Sequence, residues 1–469
     1  MTKRSIAAIA TASLLAGCTV GPNYNRPAVP TPAAFRGGAG APSPDPASLA
    51  DLKWFEVFRD ERLQEMIRTA LVKNYDVRDA VARVEAARAV LGITRADQFP
   101  TIDASASVTT LRSSASGTFP LPEGGDQTRT FGAVSANLLS FEVDIWGRLR
   151  RATEAARADL LASDETRRAV LTTLVSDVAT TYFNLLELDM QLTIARRTLS
   201  VREESLELIR NRERGGLGTL LEVREGEQLV YGAAQVIPRI EQLIEQTENQ
   251  ISLLLGGTPG PIPRGRTLTE QEQPPAVPAG LPSALLDRRP DIRAAEQNLV
   301  AANAIIGVAK AAYFPRISLT GLLGFQSDQL SNLFTGPMRV WQFVPQVTQP
   351  IFNAGRLRSN VKLAEAQQQI SLIQYERVIQ TAFREVADAL VEHQKVREIR
   401  AKQELLVGAL QDRQRMSYVR YTGGIDTLLN ALDASRDLFE AELVLVQTRR
   451  NELQALVQLY RALGGGWQQ

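Results

Sequence analysis

A chain of 469 residues carrying 53 Lys+Arg against 52 Asp+Glu is close to neutral, which removes any electrostatic case for nucleic acid as a partner. One cysteine, Cys18, excludes an internal disulfide, and a single histidine, His393, leaves a Cys/His metal site short of ligands. Aromatics make up 6 %, Ala, Leu, Glu, Gln and Arg fill long stretches, and no run of about 18 apolar residues occurs. The composition favours helix, and any membrane crossing is expected to use strands.

In chain order, Lys3 and Arg4 open a positive region followed by an apolar stretch, Ile6 to Leu15, too short to span a bilayer. It ends in Leu15-Ala16-Gly17-Cys18, which resembles the lipobox of bacterial lipoproteins. Residues 1–17 therefore read as a lipoprotein signal peptide, and Cys18 as the lipidated residue. Several acyl chains there would anchor the protein durably, at about 0.8 kcal/mol per buried CH₂. Thr19 stands where Asp would retain a lipoprotein at the inner membrane, so outer-membrane sorting is implied. Residues 18–50, with Gly21-Pro22-Asn23-Tyr24 and a Pro/Ala/Gly-rich run, read as a lipid-anchored extended segment.

The rest of the chain is written twice. Asp76-Val77-Arg78, Gly92 and Phe99-Pro100-Thr101-Ile102 match Asp291-Ile292-Arg293, Gly307 and Phe314-Pro315-Arg316-Ile317 without a gap. Gly147-Arg148-Leu149-Arg150 matches Gly355-Arg356-Leu357-Arg358, and Leu255-Gly256 matches Leu463-Gly464. The offset shrinks between Pro100 and Gly147, so the first copy carries extra residues there, most simply in a loop between strands. The repeats are placed at 51–257 and 283–469, joined by a Pro/Gly-rich linker at 258–282.

Each repeat reads as helix, two strands, a long helix and a returning helix. Pro100 stops the first helix; Ile102, Ala104, Ala106 and Val108 then alternate with Asp103, Ser105, Ser107 and Thr109. Strands are expected at about 101–112 and 129–143, and again at about 316–327 and 338–351. That length of apolar/polar alternation suits a membrane-spanning strand. Trp341 and Phe325 fit an interfacial aromatic belt or a protein core equally well.

Leu171, Val178, Leu185, Leu192, Leu199 and Leu206 recur every seven residues, the seam of a left-handed coiled coil. Val223, Val230, Ile237, Ile244 and Ile251 continue the pattern on the return, and Ile425, Leu432, Phe439, Val446, Leu453 and Tyr460 repeat it in the second copy. Helical hairpins are thus placed at about 147–255 and 355–463. The proline-free stretch 150–211 would reach roughly 90 Å as one helix, longer than a globular core needs. His393 falls in a weaker stripe, after Leu372, Ile379 and Val386, and reads as a tolerated seam residue.

Gly215-Gly216 and Gly423-Gly424 end the long helices and allow tight reversals. Four strands per chain cannot close a barrel, and open edges are not tolerated in lipid. Copies must therefore join around an axis, polar strand faces inward, to enclose a water-filled conduit.

Taken together the sequence resembles the TolC-like outer-membrane factor family, in its NodT/OprM-type lipoprotein branch. The matching pieces are Val20-Gly21-Pro22-Asn23-Tyr24, Trp54 with Phe58, Asp60 and Leu63, Arg288-Arg289-Pro290-Asp291, Pro350-Ile351-Phe352 with Gly355-Arg356, Leu432-Asp433-Ala434, and Ala462-Leu463-Gly464-Gly465-Gly466-Trp467. The resemblance implies a trimer whose twelve-stranded transmembrane β-barrel continues into an α-helical barrel across the periplasm. The implied partners are a periplasmic membrane-fusion adaptor, an inner-membrane transporter of the resistance-nodulation-division type, and outer-membrane lipid. It implies a lipid-anchored outer-membrane exit channel of a tripartite efflux pump, passing drugs, toxic compounds or metal ions outward.

The resemblance also implies a periplasmic gate, with Asp433 in a carboxylate ring, Arg436 one turn along, and Tyr421 holding the closed state. Asn430 stands where some relatives carry a second Asp. Gly215, Gly216, Leu217, Gly218 and Thr219, with Gly423, Gly424, Ile425, Asp426 and Thr427, are the expected adaptor-docking tips. No catalytic pairing and no nucleotide loop is present, so no enzyme is expected; apart from lipid on Cys18, no cofactor or metal is expected. Two other readings stay open on the sequence: a channel serving an ABC-type secretion system, and a structural coiled-coil lipoprotein without a pore.

Overall fold

Strict alternation produces strands here, and seven-residue spacing produces helices too long for a globular core. The computed structural model describes residues 19–32, 35–36, 48–113, 127–272 and 282–467. Cys18 and the signal peptide lie outside the described residues, as do 114–126, where the longer first loop is expected, and 273–281 of the linker. The fold is mainly helical with a few strands, and helix–strand–strand–helix–helix occurs in both halves of the chain. The first half contains α1 (Trp54–Val57), α2 (Glu61–Lys73), α3 (Tyr75–Ala96), β1 (Thr101–Arg112), β2 (Thr128–Val143), α4 (Arg148–Arg214), α5 (Leu220–Ala234) and α6 (Val236–Leu254). The second contains α7 (Pro282–Arg288), α8 (Pro290–Ala311), β3 (Arg316–Ser327), β4 (Arg339–Thr348), α9 (Arg356–Thr422) and α10 (Leu428–Ala462).

Two compact units divide the chain. The first comprises the described residues within 1–28, 84–162 and 295–375 and holds the strands; the second comprises those within 29–83, 163–294 and 376–469. In the first, an antiparallel sheet runs in the order β1-β2-β3-β4. Ala104 pairs with Ala136, Ala136 with Leu323, and Leu323 with Trp341. Ile102, Leu138, Gly321 and Phe343 form the next such row, so one face is apolar across the whole sheet. The other carries Asp103 and Ser105 opposite Asn137 and Ser135, then Ser318, Gln342 and Gln346. Asn137 Nδ2 donates to Ser105 Oγ at 3.0 Å on that face.

Every residue of β1 is exposed, and so are Trp341, Phe343 and Val347 of β4. Sheet packing against protein does not account for an apolar face left open on this scale. Trp341 is thus an outward aromatic and not a core residue, whereas Phe325 meets Phe334 edge-on, centroids 5.6 Å apart. β4 stops at Thr348, short of Ile351, because Gln349 precedes Pro350, which cannot donate to a ladder. Pro345 lies within β4, permitted because β4 is an edge strand.

The amino-terminal segment of this unit is extended, as its Pro/Gly content requires, but it is tied down. Val20 N donates to the Trp146 carbonyl at 3.0 Å, and Arg151 reaches Asn23 Oδ1 at 2.7 Å. Asn303 donates to the Pro22 carbonyl at 3.0 Å, and Tyr24 and Arg26 both bind Glu296.

In the second unit the first part of the α4 seam is internal: Val178 and Leu185 are 0 % exposed, with Leu171, Leu174, Val175, Tyr182 and Leu188 around them, while Leu192 and Leu199 further along are only partly buried. Each long helix, α4 and α9, has 67 residues and extends about 100 Å. Among the described residues α4 alone contains an 18-residue window apolar enough to cross a membrane, and 67 % of that window is buried in the protein. Its apolarity serves packing. The return of the first hairpin is not one helix: it breaks at Gln235 into α5 and α6, since Pro238 lacks the N–H that Ala234 would accept.

A buried carboxylate secures the linker between repeats. Asp60 Oδ1 caps α2 by accepting from Arg62 N at 2.9 Å. Its Oδ2 accepts from the Tyr182 hydroxyl at 3.1 Å, Arg266 N at 3.0 Å and Gln271 Nε2 at 2.8 Å. Gly265 is obligatory beside it, because an added Cβ would lie 2.3 Å from Asp60 Oδ1.

Candidate gate and docking tips

Both hairpins turn by the same device. At the end of α4, Gly216 adopts φ +72°, Leu217 N donates to the Arg212 carbonyl at 2.8 Å, and Gly216 N to the Glu213 carbonyl at 2.9 Å. At the end of α9, Gly424 adopts φ +70°, Ile425 N donates to the Arg420 carbonyl at 2.9 Å, and Gly424 N to the Tyr421 carbonyl at 3.0 Å. These are paired 6→1 and 5→2 bonds around a left-handed residue that glycine occupies without strain. Leu217 and Ile425 point outward at each tip, 75 % and 70 % exposed.

The two tips restart their helices differently. Thr219 caps α5 reciprocally with Glu222, whose carboxylate accepts from Thr219 N at 2.6 Å. Thr427 makes no side-chain cap. Asp426 replaces it, accepting from Thr427 N at 2.8 Å, Asn430 Nδ2 at 2.7 Å and Arg420 Nε at 3.2 Å. Those three bonds, Asn430 first, hold the Asp426 carboxyl below the usual carboxylate range. Asn430 is therefore joined to the tip residue Asp426.

Asp433 pairs with Arg436 at 3.2 Å on the same face of α10. Arg436 also reaches Asp437 at 3.4 Å, and Asp437 is bound by Arg413 of α9 at 2.7 Å. The Arg413 hydrogen bond, with Arg436 beside it, keeps the Asp437 carboxyl below its ordinary range. Asp437 and Arg413 tie α9 to α10, and both were missed in the sequence; their one visible signal is that Asp437 lies four residues beyond Asp433.

Tyr421 turns the other way. It is 4 % exposed, packs with Leu206, Ile209, Val223, Val230, Leu428 and Ala431, and lies under the Arg212 guanidinium, 5.0 Å from the ring centroid. Burial pushes its hydroxyl pKa up. This aromatic joins the second hairpin to the first. Arg197 of α4 adds a second tie, to Glu442 of α10 at 2.5 Å, and Arg450 of α10 a third, to Glu187 of α4 at 3.1 Å. His393 is half-buried, its Nδ1 has no hydrogen-bond partner, and burial lowers its pKa, with Arg397 acting in the same sense.

A sheet with one apolar and one polar face, carried in a chain of long paired helices, defines a class: a membrane channel component. The profile of the outer membrane efflux protein family matches residues 66–257 and 281–465. The toluene efflux pump outer membrane protein TtgC of Pseudomonas putida is 38 % identical over 478 residues, covering 100 % of this chain and 96 % of its own. The cation efflux system protein CusC of Escherichia coli is 36 % identical over 456 residues, covering 97 % of each. A solved membrane protein from Pseudomonas aeruginosa matches with TM-score 0.89 at 36 % identity, over 95 % of this chain and 100 % of that one. The chain belongs to the outer membrane efflux protein family. It is an outer-membrane exit channel for efflux pumps, a transport protein and not an enzyme.

Proposed function

We infer that three copies of this chain join their sheets edge to edge into a twelve-stranded barrel, the outer-membrane end of a tripartite efflux pump. The observation that carries this is the sheet itself: β1 and β4 are unpaired edges, and an edge in lipid is satisfied only by closure. The apolar row through Ala104, Ala136, Leu323 and Trp341 then faces lipid, and the row of Asp103, Ser105 and Asn137 faces the lumen. Lipid on Cys18 anchors the assembly.

The hairpin tips, Gly215 to Thr219 and Gly423 to Thr427, dock a periplasmic adaptor that links the channel to a resistance-nodulation-division transporter. Asp433, Arg436, Tyr421 and Asn430, with Asp437 and Arg413, form the gate. Opening exchanges the Arg212–Tyr421 and Arg197–Glu442 contacts between the hairpins for contacts with the adaptor. Among relatives, one is named for toluene and another for a cation, which fits a duct that leaves selection to the transporter. Light scattering on detergent-purified protein tests the assembly: a trimer of the 51.4 kDa chain, less its signal peptide, is expected, and a monomer overturns it.

A further inference from the structure

Close to the tips, where α4 and α5 pack on α9 and α10, the helices leave a cavity of about 320 Å³. Its walls are mostly apolar, with Leu206, Leu229, Tyr418 and Leu432 among them. Volume and lining fall within the range of small-molecule sites. Arg202 is set in the same wall, 6 % exposed, its guanidinium 5.2 Å from the Phe439 ring centroid. It donates to the Leu229 carbonyl at 2.9 Å, reaches the Ser435 carbonyl only at 3.5 Å, and leaves Nε without a partner.

Neighbouring arginines differ from it. Arg197, Arg210 and Arg413 each hold a carboxylate, at 2.5, 3.0 and 2.7 Å. Among the described residues Arg202 has no ion-pair partner, and Glu440 acts on it only from further away. Burial lowers its pKa, as expected of a positive charge taken from water, and Glu440 opposes that shift only in part. A mostly apolar cavity, whose lining also includes Glu204 and Arg415, thus shares one wall with a buried cation that no close carboxylate pairs.

We propose that this cavity binds a small monocarboxylate with an apolar body, the carboxylate pairing with Arg202 and the body filling the space between Leu206, Leu229 and Leu432. Charge-assisted hydrogen bonds supply the missing counter-ion, which a neutral guest of the same shape cannot. Because the walls come from both hairpins, an occupant favours the arrangement in which they touch. That consequence rests on the channel reading; the binding itself does not.

The probe is 2-naphthoate, titrated by fluorescence into the full-length protein in nanodiscs, with neutral 2-naphthamide as its counterpart. The carboxylate is expected to bind about tenfold or more tighter than the amide. Arg202→Gln is expected to erase that preference, and Ser435→Phe, which fills the cavity, to weaken both ligands about tenfold. Leu432→Phe replaces the latter if Ser435→Phe does not assemble. No saturable binding above empty nanodiscs, or a carboxylate preference unchanged in Arg202→Gln, overturns the site. In planar bilayers 2-naphthoate is expected to lower the open probability of the wild type and to leave Ser435→Phe unaffected. Binding with unchanged current overturns the bridging role. An absence of current in every form counts against the channel reading, and the titration alone then decides the site.

Discussion

At the scale of single residues, the proposed gate rests on carboxylates shared between helices. Asp437 is bound by Arg413 and Arg436, and its pKa is held down by them. A carboxylate with a depressed folded pKa contributes stability above its unfolded pKa and loses it as pH falls through the folded one. The α9–α10 tie should therefore hold at neutral pH and fail only below about pH 4. Bilayer recordings should show an open probability that is steady down to pH 5 and rises in stronger acid. Asp437→Asn should raise it at neutral pH and shrink the acid step; an unaltered acid step would remove Asp437 from the gate. The glycine at φ +70° gives a second prediction. Gly424→Val should destabilise the assembled protein by about 1–2 kcal/mol, read as a lowered midpoint of thermal dissociation. Glycine pairs announced both reversals, because only glycine fits a left-handed cap. The Asp426–Asn430–Arg420 cluster was not legible, because three residues spaced along a turn and two helices reveal no partner until the chain folds back.

At the scale of elements, the seven-residue spacing of Leu171, Val178 and Leu185 lies on the buried side of α4. Leu185→Ala is expected to cost about 2–5 kcal/mol, measured as a shift in denaturant midpoint, because the surrounding seam closes only partly over the space. Leu161, exposed on the same helix, provides the contrast: its replacement by Ala should cost far less. Periodicity missed the break at Gln235, since a heptad pattern runs through Pro238 unaltered while the hydrogen-bond ladder does not. It also missed the Asp60 clasp. In the sequence Asp60 stands only among the residues that carry the family resemblance; its bonds to Tyr182, Arg266 and Gln271 come from residues distant in sequence. The alternation in β1 and β3 was readable, but that their apolar residues form one continuous face depends on cross-strand register, which only the structure shows.

At the scale of the whole molecule, the open strand edges and the exposed apolar face are two sides of one requirement. A chain that presents Trp341, Phe343, Val347 and Ile102 to its surroundings, and leaves β1 and β4 at the sheet edges, would under the proposed assembly satisfy both in lipid by joining further copies of itself. Single-channel recording of the purified, reconstituted protein tests this most directly. Discrete current steps from a trimeric preparation are the predicted result. Trimeric, correctly folded protein that passes no current across the bilayer would contradict the account.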